Sequence, residues 1–237
     1  MHRMDAAFLL QAGHGASSLA TPAWLDVFAV GFGSFTIGVV LTERRTTLVG
    51  TLFAGILVGI GGGVIRDLLL GLRPIATETH WYVSTGAVCA LAGVVFAHYI
   101  PVDAWFVLLL NTCFMALFCV IGANKALVYQ SPWPVAIMLG VVTGTGGGIL
   151  LDLVQGEPPI IFGRDSEWAA PAALIGTTLY VALALFLPGP AAAWIGGIAV
   201  VVLRMAGAVW KWPDPTVLVV ALPSRFRDSD APTVGDG

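Results

Sequence analysis

The sequence predicts an all-α integral membrane protein of seven transmembrane helices, in which two three-helix units are inserted in opposite senses and a seventh helix is added. Three observations predict it. Only 11% of the 237 residues are charged and 57% are hydrophobic, against roughly 25% charge in a soluble domain. Largely uncharged runs of about 20 residues recur, long enough to cross a hydrocarbon core of ~30 Å. Finally, a glycine-rich segment of the second run returns in the fifth.

The apolar runs cover 24–42, 46–70, 81–100, 104–123, 133–155, 168–187 and 191–210. Tryptophan favours the level of the lipid headgroups, and it marks the ends of these runs. Trp24, Trp81, Trp105, Trp133, Trp168 and Trp194 stand at or near span starts, while Trp210 and Trp212 close the last. Charges and prolines occupy the gaps, as in Glu43-Arg44-Arg45, Arg73-Pro74 and Pro158-Pro159. The expected organisation is an extramembrane segment at 1–22, three-helix units at 23–100 and 101–188, a seventh helix at 189–212 and a disordered cytoplasmic tail at 213–237. The apolar stretch Ala6 to Leu10 is too brief for a secretory signal, so the first span is expected to direct insertion.

Lysine and arginine accumulate on the side of the membrane that holds the C-terminus. Arg44, Arg45, Arg164, Lys211, Arg225 and Arg227 fall there, and Arg3, Arg73 and Lys125 on the other side. The positive-inside rule then predicts a multi-pass cell membrane protein with its N-terminus outside and its C-terminus in the cytoplasm.

The repeat compares residues 55–75 with residues 140–160 at a constant offset of 85. Gly55, Gly59, Gly61, Gly62, Gly63, Asp67, Leu68, Gly71, Pro74 and Ile75 are matched by Gly140, Gly144, Gly146, Gly147, Gly148, Asp152, Leu153, Gly156, Pro159 and Ile160. The two segments lie three crossings apart, so they must run in opposite directions about a pseudo-twofold axis in the membrane plane. A weaker pairing of Phe35–Gly38 with Phe118–Gly122 suggests that the first and fourth spans correspond as well.

Glycines at successive i,i+4 steps offer a smooth stripe for helix contact. Three in a row cost more helix propensity than a groove requires, ~1 kcal/mol each, so the second and fifth helices are expected to break or kink at Gly61–Gly63 and Gly146–Gly148. A broken helix exposes backbone groups that protein, water or a permeating species must satisfy. Paired interruptions in two inverted halves point to a conduction or transport site.

Arg66, Asp67 and Asp152 follow these triplets. The plain alternative is that each aspartate compensates a half-helix dipole. Neighbouring residues on a helix do not face each other, so Arg66 is expected to pair across the pseudo-twofold with Asp152. One shared cavity would then carry a net charge of -1 from Arg66, Asp67 and Asp152 and favour cations. Lys125, Asp26, Asn111 and Arg204 are further polar candidates in or near the spans.

Other functions find little support. A net charge of -3 without a basic run excludes nucleic acid as an expected partner. Cys89, Cys113 and Cys119 read as small buried hydrophobes, the histidines show no metal-ligand spacing, and no nucleophile–base pair indicates an enzyme. Neither a cofactor nor a metal is expected. The Gly-x-Gly-Gly-Gly motif has no following Gly-Lys-Ser/Thr, as a phosphate loop would.

At Gly61 to Pro74, with the echo at 146–159, the sequence resembles the bacterial and archaeal relatives of the trimeric intracellular cation (TRIC) channels, over about 24–210. The resemblance implies an inverted 3+3 repeat plus one helix, a homotrimer in membrane lipid, and in each protomer a pore for potassium and other monovalent cations beside the second and fifth helices. Residue by residue, the family signature falls on Gly61, Gly62, Gly63, Arg66 and Asp67, then on Gly146, Gly147, Gly148 and Asp152. Leu151 departs from it, because many relatives carry arginine there. Bacterial relatives of this kind are also labelled glycine transporters, which is the alternative function.

Overall fold

The computed structural model describes residues 23–44, 46–99, 104–159, 161 and 168–212. The segment expected at 1–22 and the tail expected at 213–237 lie outside the described residues. Regular structure among the described residues is helical. The helices are α1 (Ala23–Glu43), α2 (Leu48–Leu69), α3 (Ile75–Glu78), α4 (His80–Ala97), α5 (Ala104–Val128), α6 (Trp133–Gln155), α7 (Ala169–Leu183) and α8 (Gly189–Trp210). Helices α1, α2, α4, α5, α6 and α8 are long and apolar enough to cross a membrane. The sixth expected span is shorter, because α7 has 15 helical residues and closes in turns before Pro188 and Pro190.

The outer surface suits lipid. Trp24, Trp81, Trp133, Trp194 and Trp210 are all more than half exposed at or near helix ends, as expected for aromatic belts. Helices α2 and α6 end alike, on glycines in the left-handed conformation that side chains disfavour, Gly71 (φ 70°) and Gly156 (φ 75°). Beyond each glycine the chain bonds back to its aspartate, Leu72 N–H to the Asp67 carbonyl (2.8 Å) and Glu157 N–H to the Asp152 carbonyl (2.9 Å).

The expected break does not occur. Helices α2 and α6 are continuous through both glycine triplets, so any bend stays within helical bonding. The glycines instead let α2 and α6 cross in backbone contact. A Cβ at Gly62 would overlap the Thr143 carbonyl, and one at Gly147 would overlap the Val58 carbonyl. These contacts exchange under the 85-residue offset, as do Gly61 against Leu150 and Gly146 against Ile65. Such reciprocity is the mark of a twofold contact. Short connections reverse the chain three times between the two helices, so they run antiparallel.

The same offset extends to α1 and α5. Gly59 meets Ser34 and the Val30 carbonyl, whereas Gly144 meets Cys119 and the Met115 carbonyl. The first and fourth spans therefore correspond at offset 85, and the Gly38–Gly122 alignment is one residue out of register. Gly38 in fact receives α4 at Ala90, while Gly122 receives α6 at Thr143. Symmetry is only partial at the third helix of each unit, where Ala90 of α4 on Gly55 is echoed by Thr177 of α7 on Gly140. Helix α4 packs closely on α1 through Gly38 and Gly93, but α7 packs chiefly on the added helix α8 through Gly176 and Gly196.

Two glycines of the triplets take no part in the crossing. A Cβ at Gly63 would touch only the far end of Arg66, and one at Gly148 would meet nothing within 4 Å. Gly62→Ala is therefore expected to destabilise the protein by about 1–3 kcal/mol through overpacking. Gly148→Ala should be neutral or stabilising by up to ~1 kcal/mol from helix propensity. Thermal unfolding of the two variants in detergent compares them directly; equal loss in both would contradict this assignment of the crossing.

Candidate functional site

An apolar bundle can hold charge only where charges meet one another. Here they meet where α1, α2, α4 and α5 converge. Asp67, near the C-terminal end of α2, is fully buried, and Arg66 beside it is 1% exposed. The Arg66 side chain folds back so that Nε donates to Asp67 Oδ1 at 2.8 Å, and Lys125 Nζ donates to the same oxygen at 2.8 Å. Asp67 Oδ2 accepts from the Ile75 N–H at 3.2 Å, where α3 begins. Arg66 Nη1 also faces Asp26 Oδ1 across 3.8 Å.

This arrangement solves two problems at once. A carboxylate near a helix C-terminus opposes the helix dipole, and burial adds a desolvation penalty. Two cationic side chains and a backbone amide offset both for Asp67. Asp26 and Asp67 balance Arg66 and Lys125 in formal charge, so the cluster is neutral as it stands. Lys125 is the most accessible member, its side chain 16% exposed against 2% for Arg66.

Topology brings these residues to one face of the membrane. Asp26 lies in the first turn of α1 and Tyr82 near the start of α4, whereas Arg66, Asp67 and Lys125 lie close to the ends of α2 and α5, which run the other way. The same logic overturns the expected pairing of Arg66 with Asp152 and the shared cavity of net charge -1. Asp67 and Asp152 each stand five residues beyond the crossing, on antiparallel helices. At 1.5 Å per residue they are about 15 Å apart along the membrane normal. Arg66 takes Asp67 and Asp26 instead. The dipole reading is corrected too, because in continuous helices both aspartates lie near C-terminal ends.

The second unit carries a reduced version of this site, in which the aspartate is kept as Asp152. The offset of 85 places Leu151 where Arg66 stands and Asn111 where Asp26 stands. The arginine and the more distant of its two acids are both replaced, and the nearer acid is retained. Leu151 joins the apolar cluster around Phe114, Phe118 and Ile121. Asp152 is half-buried on α6, and Asn111 is exposed. Arg204 lies apart, buried on α8 with Nη1 3.6 Å from Met115 Sδ. Of the expected site residues, Gly63, Arg66, Asp67 and Lys125 are brought together, Gly61, Gly62, Gly146 and Gly147 form the crossing, and Gly148 faces open space.

Asp26 and Tyr82 are the site members least visible in the sequence. Asp26 is one of four further polar candidates in or near the spans, and nothing along the chain distinguishes Tyr82 from the other aromatics. Their signal is positional, a carboxylate and a phenol one helical turn inside helices that begin at the same membrane face.

An internally duplicated, inverted helical bundle with a buried ion cluster at one face defines a class of polytopic membrane protein associated with solute passage. Comparison with known proteins then gives the family. A family model described as "Glycine transporter" matches twice, at residues 23–99 and 108–185, one match on each three-helix unit. The UPF0126 membrane protein of Vibrio cholerae is 30% identical over 197 residues, covering 81% of each chain. The UPF0126 inner membrane protein YadS of Escherichia coli K12 is also 30% identical, covering 81% of this chain and 94% of its own. Among solved structures, the TRIC trimeric intracellular cation channel orthologue from Rhodobacter sphaeroides superposes with a TM-score of 0.72 at 37% identity, over 80% of this chain and 97% of that one. A second TRIC cation channel structure shares the fold, with a TM-score of 0.72 at 24% identity over 86% and 100% of the two chains. The chain belongs to the prokaryotic TRIC channel family.

Breaking a buried, balanced cluster leaves an uncompensated charge. Arg66→Met is expected to destabilise the protein by about 3–5 kcal/mol. Arg44→Met removes only the exposed 3.9 Å pair with Glu157 and should cost ~1 kcal/mol or less. Denaturation of the two variants in matched detergent measures the difference, and comparable losses would argue against a cluster that depends on its charge balance.

Proposed function

We propose that this protein is a channel for monovalent cations, permeable to potassium, with a pore in each protomer of a homotrimer. The pore passes beside α2 and α6, past Gly63 and the ion cluster at one end and past Gly148 and Asp152 at the other. The observation that carries the reading is the Lys125 ammonium 2.8 Å from Asp67 Oδ1. A tethered cation fills a carboxylate position that a permeating cation could use.

The mechanism follows from charge. With Lys125 in place the cluster is neutral and gives an arriving ion no attraction. If Lys125 withdraws, Asp26 and Asp67 outnumber Arg66 by one. One unbalanced charge acts on an ion 4 Å away with about 4 kcal/mol in protein surroundings, drawing cations and repelling anions. Lys125 thus serves as a tethered plug, and Arg66, more deeply buried, keeps the carboxylates apart from each other's charge. The open sides of Gly63 and Gly148 leave the backbone bare along the route. Membrane lipids surround the assembly, with the ion cluster at the outer face, the N-terminus outside and the C-terminus in the cytoplasm. The three-helix units at 23–100 and 101–188, with the added helix at 189–212, are the bodies that frame this route.

Support comes from the similar Rhodobacter sphaeroides chain, which is described as a cation channel. The description of the matching family model favours a second reading, a carrier for glycine or a similar small solute. Potassium flux into liposomes containing the purified protein tests both. The channel reading expects unitary potassium currents, whereas saturable counterflow of labelled glycine without such currents would replace it. Lys125→Met is expected to raise potassium flux about tenfold, equivalent to ~1.4 kcal/mol in the barrier, and Asp67→Asn should reduce cation-over-anion selectivity. An unchanged flux in Lys125→Met would remove the plug from the mechanism.

A further inference from the structure

Three observations around one small cavity converge on a single occupant. The cavity, of about 20 Å³, is lined by Asp26, Arg66, Asp67 and Tyr82, with Gly63 and Phe118 among its apolar and backbone walls. Tyr82 is 4% exposed, and its Oη has no hydrogen-bond partner among the described residues. A buried phenol without a partner loses the bond it makes in water. The third observation is the Arg66–Asp26 ion pair at 3.8 Å, too long for a direct hydrogen bond, which leaves both groups able to bond a shared water.

We propose that this cavity is a binding site for one water molecule, held by Tyr82 Oη, the Asp26 carboxylate and the Arg66 guanidinium. Size and chemistry both select water. A cavity needs about 10–15 Å³ and two to four polar partners to hold one, and this one meets both conditions. A monovalent cation of similar size would lie against Arg66 in a cluster whose charge is already balanced, so a neutral occupant is favoured. Phenol and guanidinium donate to the water, which donates in turn to Asp26.

Tyr82 then becomes a positioning residue. Through the water it ties α4 to α1 and α2 and holds Asp26 within reach of Arg66. Tyr82 belongs to the same buried apolar cluster as Ala29, Val30 and Phe118 in any case, so Tyr82→Phe removes the hydroxyl with little effect on packing. The consequence for conduction rests on the channel reading above: without the water bridge, Arg66 and Asp26 are held less firmly and the cluster opens more readily.

An experimental structure of the full-length protein that resolves ordered water tests the site itself. Density within hydrogen-bond distance of Tyr82 Oη is expected, and an empty, resolved cavity would overturn the proposal. In detergent, Tyr82→Phe should lower the unfolding temperature by about 2–4 °C. The double variant with Asp26→Ala should fall less than the two single shifts together; additive shifts would reject a joint role. Should the wild-type unfolding temperature rise with potassium concentration while that of Tyr82→Phe does not, a cation occupies the cavity and water does not. In liposomes Tyr82→Phe is expected to raise potassium flux severalfold. Absence of flux in every variant, wild type included, would defeat the channel reading while the density and the unfolding temperatures still decide the water site.

Discussion

The fold depends on one close approach, the crossing of α2 and α6 at Gly61–Gly62 and Gly146–Gly147. In lipid there is no hydrophobic drive to press helices together, so association relies on packing and interhelical hydrogen bonds. Backbones that meet without side chains between them gain the largest packing contact per residue. Each glycine here receives a carbonyl or another glycine of the facing helix, and each contact is returned in the other half at an offset of 85. The crossing therefore joins the two units and sets the pseudo-twofold relation between them. The stripes at Gly55/Gly59 and Gly140/Gly144 then seat α1 and α5 against the same two helices.

From this crossing the position of the charges follows. Five residues beyond it on α2, Asp67 approaches the membrane face where α1 and α4 begin and α5 ends. Four helix ends meet there, and their dipoles and side chains are combined so that two acids and two bases are held together. The matching residue Asp152 is carried to the opposite face. Inverted symmetry thus gives the protein two membrane faces of different chemistry, one where Asp67 meets Arg66, Lys125 and Asp26, and one at Asp152 where Leu151 and Asn111 stand in the places of Arg66 and Asp26. The added helix contributes to this asymmetry, since α8 takes over the packing of α7 that α4 has with α1 in the first unit.

Much of this architecture could be read along the chain. Hydropathy marked the spans because a bilayer core requires uninterrupted apolar length, and tryptophans marked their ends because the interface selects them. The glycine echo disclosed the duplication, and the odd number of crossings disclosed the inversion. One family model matches the chain twice, at 23–99 and 108–185, in keeping with the duplication. The role of the glycine triplets was decided by packing. A run of three suggests a helix break if propensity alone is weighed, yet packing against a second glycine stripe offsets the lost propensity and keeps both helices whole. Similarly, the rule that adjacent residues do not face each other holds for short side chains. Arginine is long enough to turn back onto Asp67.

What the sequence determined by itself was periodic and local: which segments are long and apolar enough to enter lipid, that two of them are copies, and that those copies run in opposite senses. Tertiary structure alone decided which charges meet. Asp26, Arg66, Asp67, Tyr82 and Lys125 are scattered across four helices, and no spacing along the chain relates them. Their meeting depends on which helix ends share a membrane face and on how closely glycine lets the backbones approach. The physical reason is that a buried charge is stabilised by neighbours within a few ångströms, a condition set by distance through space and not by distance along the chain.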